Sequence, residues 1–197
     1  MIRRFVLTAL CLGLFAPSIA LAQTLSTFTL DAFSFISFGN KEVVLLPPGS
    51  TIQFRFGKPA ADGSVSFTIE PEGVSIAPIE LRSGGGALHY TFASAASGQV
   101  RPKTDQGREV SFTATIRATL IQGDSHRSYD YTIPFTTETA TAVNQERRGQ
   151  VSVTGVRLVE GSWYSQIVGA TTNKKDAYPE PGAAVYTVLS GRFDRMP

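Results

Sequence analysis

From Val110 to Leu120 apolar and polar residues change places at every step. Val110, Phe112, Ala114, Ile116, Ala118 and Leu120 share one parity, and Ser111, Thr113, Thr115, Arg117 and Thr119 share the other. A two-residue period belongs to an extended strand with one buried and one wetted face, because a helix sorts its faces at 3.6 residues. Tyr129, Tyr131, Ile133 and Phe135 repeat the pattern around Asp130, Thr132 and Pro134. Gln122-Gly123-Asp124-Ser125-His126 lies between the two runs, so they are expected to form a hairpin. Pro134 has no N–H for a ladder, which places that end of the second strand at an edge or a bulge.

The same period recurs along the chain. It runs through Ile52, Phe54 and Phe56, through Val65, Phe67 and Ile69, and through Leu88, Tyr90 and Phe92. Further strands are expected over 151–159, 163–170 and 183–193, and over Val43 to Leu46, which Pro47-Pro48-Gly49 stops. No segment carries a helical period of useful length. The expected fold is all-β: an antiparallel β-sandwich of Ig-like or jelly-roll type, or a partly closed barrel, with about nine or ten strands. Ser97–Glu109 and Thr136–Gln150 read as breaks. A cut at either leaves a piece too small for a disulfide-free core, so residues 23–197 are read as one domain.

The first 22 residues are set apart from this pattern. Arg3 and Arg4 precede the apolar stretch Phe5 to Ala16, and Ala20-Leu21-Ala22 closes it with small residues at the positions a signal peptidase reads. Residues 1–22 are therefore expected to be a cleaved signal peptide, with the exported chain starting at Gln23 in the periplasm or outside the cell. Cys11 is the one cysteine and lies in that leader; Leu10 before it does not suit a lipoprotein signal. The exported chain then has no thiol to pair. Loss of Arg3 and Arg4 takes Lys+Arg from 18 to 16, equal to the 16 Asp+Glu. No global field favours nucleic acid or an anionic membrane, and no integral membrane segment is expected after cleavage.

Residues for chemistry are few. His89 and His126 are the only histidines. Alternation turns His89 to the wet face. Asp124, His126 and Asp130 cluster at the hairpin, but the tip residues among them are ordinary turn formers and no ligand spacing such as H-x-x-x-H is present. There is no G-x-S-x-G elbow, and Gly84-Gly85-Gly86 lacks the Lys and Ser/Thr of a phosphate loop. Glu70, Glu72 and Glu80 are the nearest carboxylate cluster, and Pro71-Glu72-Gly73 reads as a turn. No catalytic residue, cofactor or metal site is assigned. Of the adjacent Trp163 and Tyr164, Trp163 is expected in the core and Tyr164 on a partly wet face.

Candidate partner-binding residues come from two connections and one strand. Arg101, Lys103 and Asp105 lie in Ser97–Glu109, and Lys174, Lys175 and Tyr178 in Asn173–Gly182. Long loops on a β scaffold are where recognition is commonly placed. The strand is N-terminal: Phe28 and Leu30 share one parity, Phe33 and Phe35 the other, and Ile36 and Phe38 return to the first. A bulge near Asp31-Ala32 accounts for one switch. Large apolar groups still fall on both faces of 32–38, so this strand is either covered twice, the expected case, or meets a partner chain. The function expected is binding or assembly in the cell envelope, without catalysis, the partner being an envelope protein or a surface polymer. A pilin-like strand donor is one form of this, although no cysteine pair or family motif accompanies it. The alternatives are a carrier of a small apolar ligand and a hydrolase using Asp or Glu.

Overall fold

The computed structural model describes residues 23–39, 42–81, 85–102, 108–137, 163–172 and 184–197. The leader and the strand expected over 151–159 lie outside them. The strands are β1 (Thr24–Leu30), β2 (Phe35–Phe38), β3 (Glu42–Leu45), β4 (Thr51–Pro59), β5 (Val65–Ile69), β6 (Val74–Ser75) and β7 (Ile79–Leu81). They continue with β8 (Gly86–Phe92), β9 (Ala96–Pro102), β10 (Arg108–Gln122), β11 (Ser125–Thr137), β12 (Trp163–Thr172) and β13 (Ala184–Phe193). Every pairing among the described residues is antiparallel. Among the described residues the only helix is one 3₁₀ turn, Pro71–Gly73, where a sequence turn was expected. No helix among them is long and apolar enough to cross a membrane.

The chain is all-β, as its period predicts, with more strands than the nine or ten expected. Hydrogen bonding runs β1-β4-β5-β9-β10-β11-β12-β13, and β1 also pairs with β13, so the path returns to its start. Two strands are shared lengthwise between neighbours. Arg108–Thr113 of β10 pairs with β9, while Ile116–Ile121 pairs with β8. On β13, Gly191–Phe193 meets β1 and Val185–Val188 meets β2, which carries β3 on its other side.

The expected hairpin forms with the expected faces. Gln122 pairs with Ser125 across Gly123-Asp124, and the register runs back to Ser111 opposite Thr136. Phe112, Ile116, Tyr131 and Ile133 are buried, and Arg117, Asp130 and His89 are exposed. On the wet face Arg117 Nε and Nη2 reach Asp130 Oδ1 and Oδ2, both at 2.8 Å. Pro134 lies one residue before the β11–β12 ladder begins at Phe135, as its missing N–H requires.

Inside, the aromatic residues fill space against one another. Phe54 meets Phe28, Phe67 and Phe193 at centroid distances of 6.3, 5.0 and 4.9 Å, and Phe112 stacks on Phe135 at 4.8 Å. The buried apolar residues form one cluster, apart from Tyr164 and Val188 on the outer face.

Two expectations are corrected. Ser97–Glu109 is not a loop throughout, because Ala96–Pro102 is β9, paired with both β5 and β10. Its inward positions are Ala96, Gly98 and Val100, too small to give a visible alternation. A Cβ at Gly98 would collide with the Phe67 ring, Ser111 O and Phe112 Cβ, so the large neighbours require the small residue. Secondly, Trp163 turns to the core as expected, opposite Phe193 and half-buried, but Tyr164 on the other face is buried and not partly wet. The side chain of Tyr164 is claimed by a polar cluster that no local pattern announces.

Candidate partner-binding face

That cluster sits where β1 gives way to β2. Leu30 pairs with Gly191 and Phe35 with Val188, so the four residues Asp31–Ser34 face only Leu189 and Ser190. This is the bulge predicted near Asp31-Ala32. Its backbone groups need partners that the ladder no longer supplies. Asp31 N donates to Ser190 O at 2.9 Å. Ser34 Oγ donates to Ser190 O at 2.7 Å and accepts from Ser190 N at 3.0 Å. Asp31 Oδ1 accepts from Phe33 N at 2.8 Å, closing a local turn, and Leu46 N donates to Ser34 O at 2.9 Å.

The remaining oxygen of Asp31 anchors a buried relay. Ser190 Oγ donates its single proton to Asp31 Oδ2 at 3.0 Å, so the Tyr164 hydroxyl, 2.5 Å from Ser190 Oγ, is the donor there. Burial, and then the negative charge of Asp31, push the Tyr164 phenol up to about 12. It stays neutral throughout the physiological range. A fully satisfied polar network of this kind fixes one geometry, since any rearrangement strands a buried group.

The geometry it fixes exposes an apolar strip. Inward, Ile36, Phe38, Val44, Val185 and Leu189 enter the core. Outward, Phe35 stands opposite Val188 and Leu45, and Ser37 opposite Tyr186 and Val43. The rings of Phe35 and Tyr186 are 6.0 Å apart. Phe33 ends the strip at the turn. Phe33 is 48% exposed, Val43 63%, Leu45 58% and Tyr186 39%. The outer face of 32–38 is therefore exposed at Phe33, half-buried at Phe35 and Ser37, and buried only at the neighbouring Val188, so it is not fully covered on both sides. The residues of this strip (Phe33, Phe35, Ser37, Val43, Leu45, Ala184, Tyr186, Val188) carry no charge; the charged groups of the same face, Arg192 and the largely buried Asp31, lie beyond Val188 at its β1 end.

The other predicted site residues fare differently. Arg101 is exposed on β9 and donates to Gln99 Oε1 at 3.0 Å through Nη2. It belongs to a strand and not to a loop. Lys103, Asp105, Lys174, Lys175 and Tyr178 lie outside the described residues. Sequence reasoning missed Val43, Leu45 and Tyr186. The apolar run Val43–Leu46 carried the same two-parity signal as 32–38, but Pro47-Pro48-Gly49 drew attention to its end.

Hollows among the described residues lie elsewhere. One of about 530 Å³ is lined by Pro47, Val74, Ile76, Ala77, His89 and Thr91 among others. A second of about 390 Å³ lies over Arg55, Thr68, Ser97 and Gln99. Among the described residues no group of three His, Cys, Asp or Glu is placed to hold a metal ion. Of the hairpin carboxylates, Asp130 is engaged by Arg117. Comparison with protein families, with curated proteins and with solved structures finds no match.

Proposed function

We propose that this chain is exported to the periplasm or beyond after cleavage before Gln23, and acts there by binding or assembly and not by catalysis. Its working surface is the outer face of β13, β2 and β3, which it offers to an envelope component. The observation that carries this reading is the uncharged strip of Phe33, Val43, Leu45 and Tyr186, exposed around the half-buried Phe35. Exposed apolar area costs solubility, and contiguous patches on soluble proteins mark interaction sites. The closed path of strand pairings supports a barrel-like scaffold with β2 and β3 laid along one wall. The carrier reading is less favoured, because the inward phenylalanines pack on each other along the interior.

The test is crosslinking in the intact envelope. The exported chain should capture a partner, and Leu45→Lys should abolish capture while its circular dichroism stays that of the wild type. Undiminished capture by a folded Leu45→Lys chain sinks the reading.

A further inference from the structure

Resting on that reading of the face, we propose that its partner is a second copy of this chain, packed face to face about a twofold axis. Four side chains of the strip are exposed by 39–63%. Together they leave on the order of 400 Å² of apolar surface open, about half of what each partner buries in a standard interface. That is the proportion expected of an apolar centre awaiting a polar rim.

Shape narrows the occupant. The strip lies on an open sheet face spanning three paired strands and not in a groove, so an isolated extended peptide would cover it only in part. A second flat sheet packs on such a face at about 10 Å with interdigitating side chains. Charge narrows it again. With no charged residue in the strip itself, Arg192 and the largely buried Asp31 lying beyond its end, nothing within it selects a charged polymer or a charged protein surface. An uncharged apolar face is complementary to itself, and a twofold interface uses the same patch on both subunits.

Pairing of β3 edges alone does not meet the need. Adding a strand beside β3 would extend the sheet sideways and leave Val43, Leu45 and Tyr186 pointing into water as before. Only a layer on top removes them from solvent. In that arrangement the sheet of β13, β2 and β3 becomes a middle layer, with the chain's own core beneath it and the partner's sheet above. The relay from Tyr164 through Ser190 to Asp31 keeps the bulge, and with it Phe33, in the position the interface needs.

Sedimentation equilibrium of the exported chain, with envelope crosslinking of the same variants, tests this. The wild-type chain should sediment as a dimer at tens of micromolar. Val43→Lys and Leu45→Lys, both at exposed positions, should each weaken dimerisation at least tenfold with unchanged circular dichroism. Phe33→Ser should weaken it less, and His89→Lys, on another surface, should leave it intact. A wild-type chain that stays monomeric through the whole range overturns the proposal. So does a dimer that survives both lysine variants. If the monomeric wild type still captures an envelope component and Leu45→Lys does not, the face binds something else and only the second-copy assignment fails. If neither measurement responds to Leu45→Lys, the assignment of the face fails as well.

Discussion

Tyr164 is buried on the face of β12 turned away from the core, where its hydroxyl meets Ser190. Its neighbour Trp163 is larger and more apolar, and adjacent strand residues face opposite ways, so size alone sends Trp163 inward. Trp163 does turn inward; what covers Tyr164 on the outer face is Asp31, far away in the chain, whose bulge lays a carboxylate over Ser190 of β13. A hydroxyl that completes a buried relay is worth covering. Tyr164→Phe should therefore cost about 0.5–1.5 kcal/mol in denaturant melts. It should also change the alkaline limb of stability. The folded phenol titrates near 12 against 10.0 for a free one. The folded state thus holds its proton more tightly, so this contribution is complete below about pH 10 and fades as pH rises to 12. Tyr164→Phe should remove part of that fall. Tyr90 should retain the rest, because burial raises its phenol too. An alkaline limb identical in wild type and variant would exclude Tyr164 as a contributor.

Residues of the regular strands behave as their parity dictates. Phe112 is buried against Phe54, Phe67, Phe92 and Phe135. Phe112→Ala should cost about 3–5 kcal/mol, whereas His89→Ala, exposed on the other parity, should stay within about 0.5 kcal/mol. A reversed ranking in urea would show that the faces of β8 and β10 are misassigned.

At the scale of elements, the β10–β11 hairpin was legible to the residue because alternation, turn and proline all agree there. β9 was not, since the signal of a strand is carried by large inward side chains and the space beside Gly98 belongs to Phe67 and Phe112. β6 and β7, two and three residues long, are too short to show any period. The closure of β1 on β13 was also invisible, because pairing partners distant in sequence leave no local trace. That seam is close-fitting. A Cβ at Gly191 would run into the Thr29 carbonyl, so Gly191→Ala forces the two strands apart. A loss of about 1–3 kcal/mol is expected, and a neutral result in thermal melts would show that the seam yields freely.

The end of the same seam makes an acid-sensitive clasp. Asp194 Oδ1 accepts from Ser26 Oγ at 2.6 Å and from Thr27 N at 3.0 Å. Partial burial pushes the Asp194 carboxyl up, but these hydrogen bonds outweigh it and hold the group below the usual carboxylate range. Its stabilisation is therefore complete above the free value of 3.8 and is lost as pH falls through the lower folded one. Asp194→Asn should flatten part of the stability loss below pH 4, which urea midpoints measured from pH 2 to 6 would reveal. Identical profiles would mean that the clasp carries no proton-linked stability.

For the whole molecule, two kinds of surface compete for the functional role. The loops were singled out in the sequence because Lys, Asp, Pro and Gly are conspicuous there. The strip was half-seen, in Phe33 and Phe35, because both parities of 32–38 are large and apolar. Completing it took the register of β2 against β3 and β13, which joins residues 43 and 45 to residue 186. The competition has a direct test. Replacing Asn173–Gly182 by a short Gly-Ser turn should leave the all-β circular dichroism spectrum and partner capture intact. The double variant Phe33→Ser, Phe35→Ser should keep the spectrum but lose capture by tenfold or more. Phe33 contributes little to the fold at 48% exposure, so any cost in stability falls mainly on Phe35, which sits against Tyr186. Capture that survives the double substitution and disappears with the loop would return the working surface to Lys174, Lys175 and Tyr178. The relay beneath the strip would then serve only to close the bulge between β1 and β2.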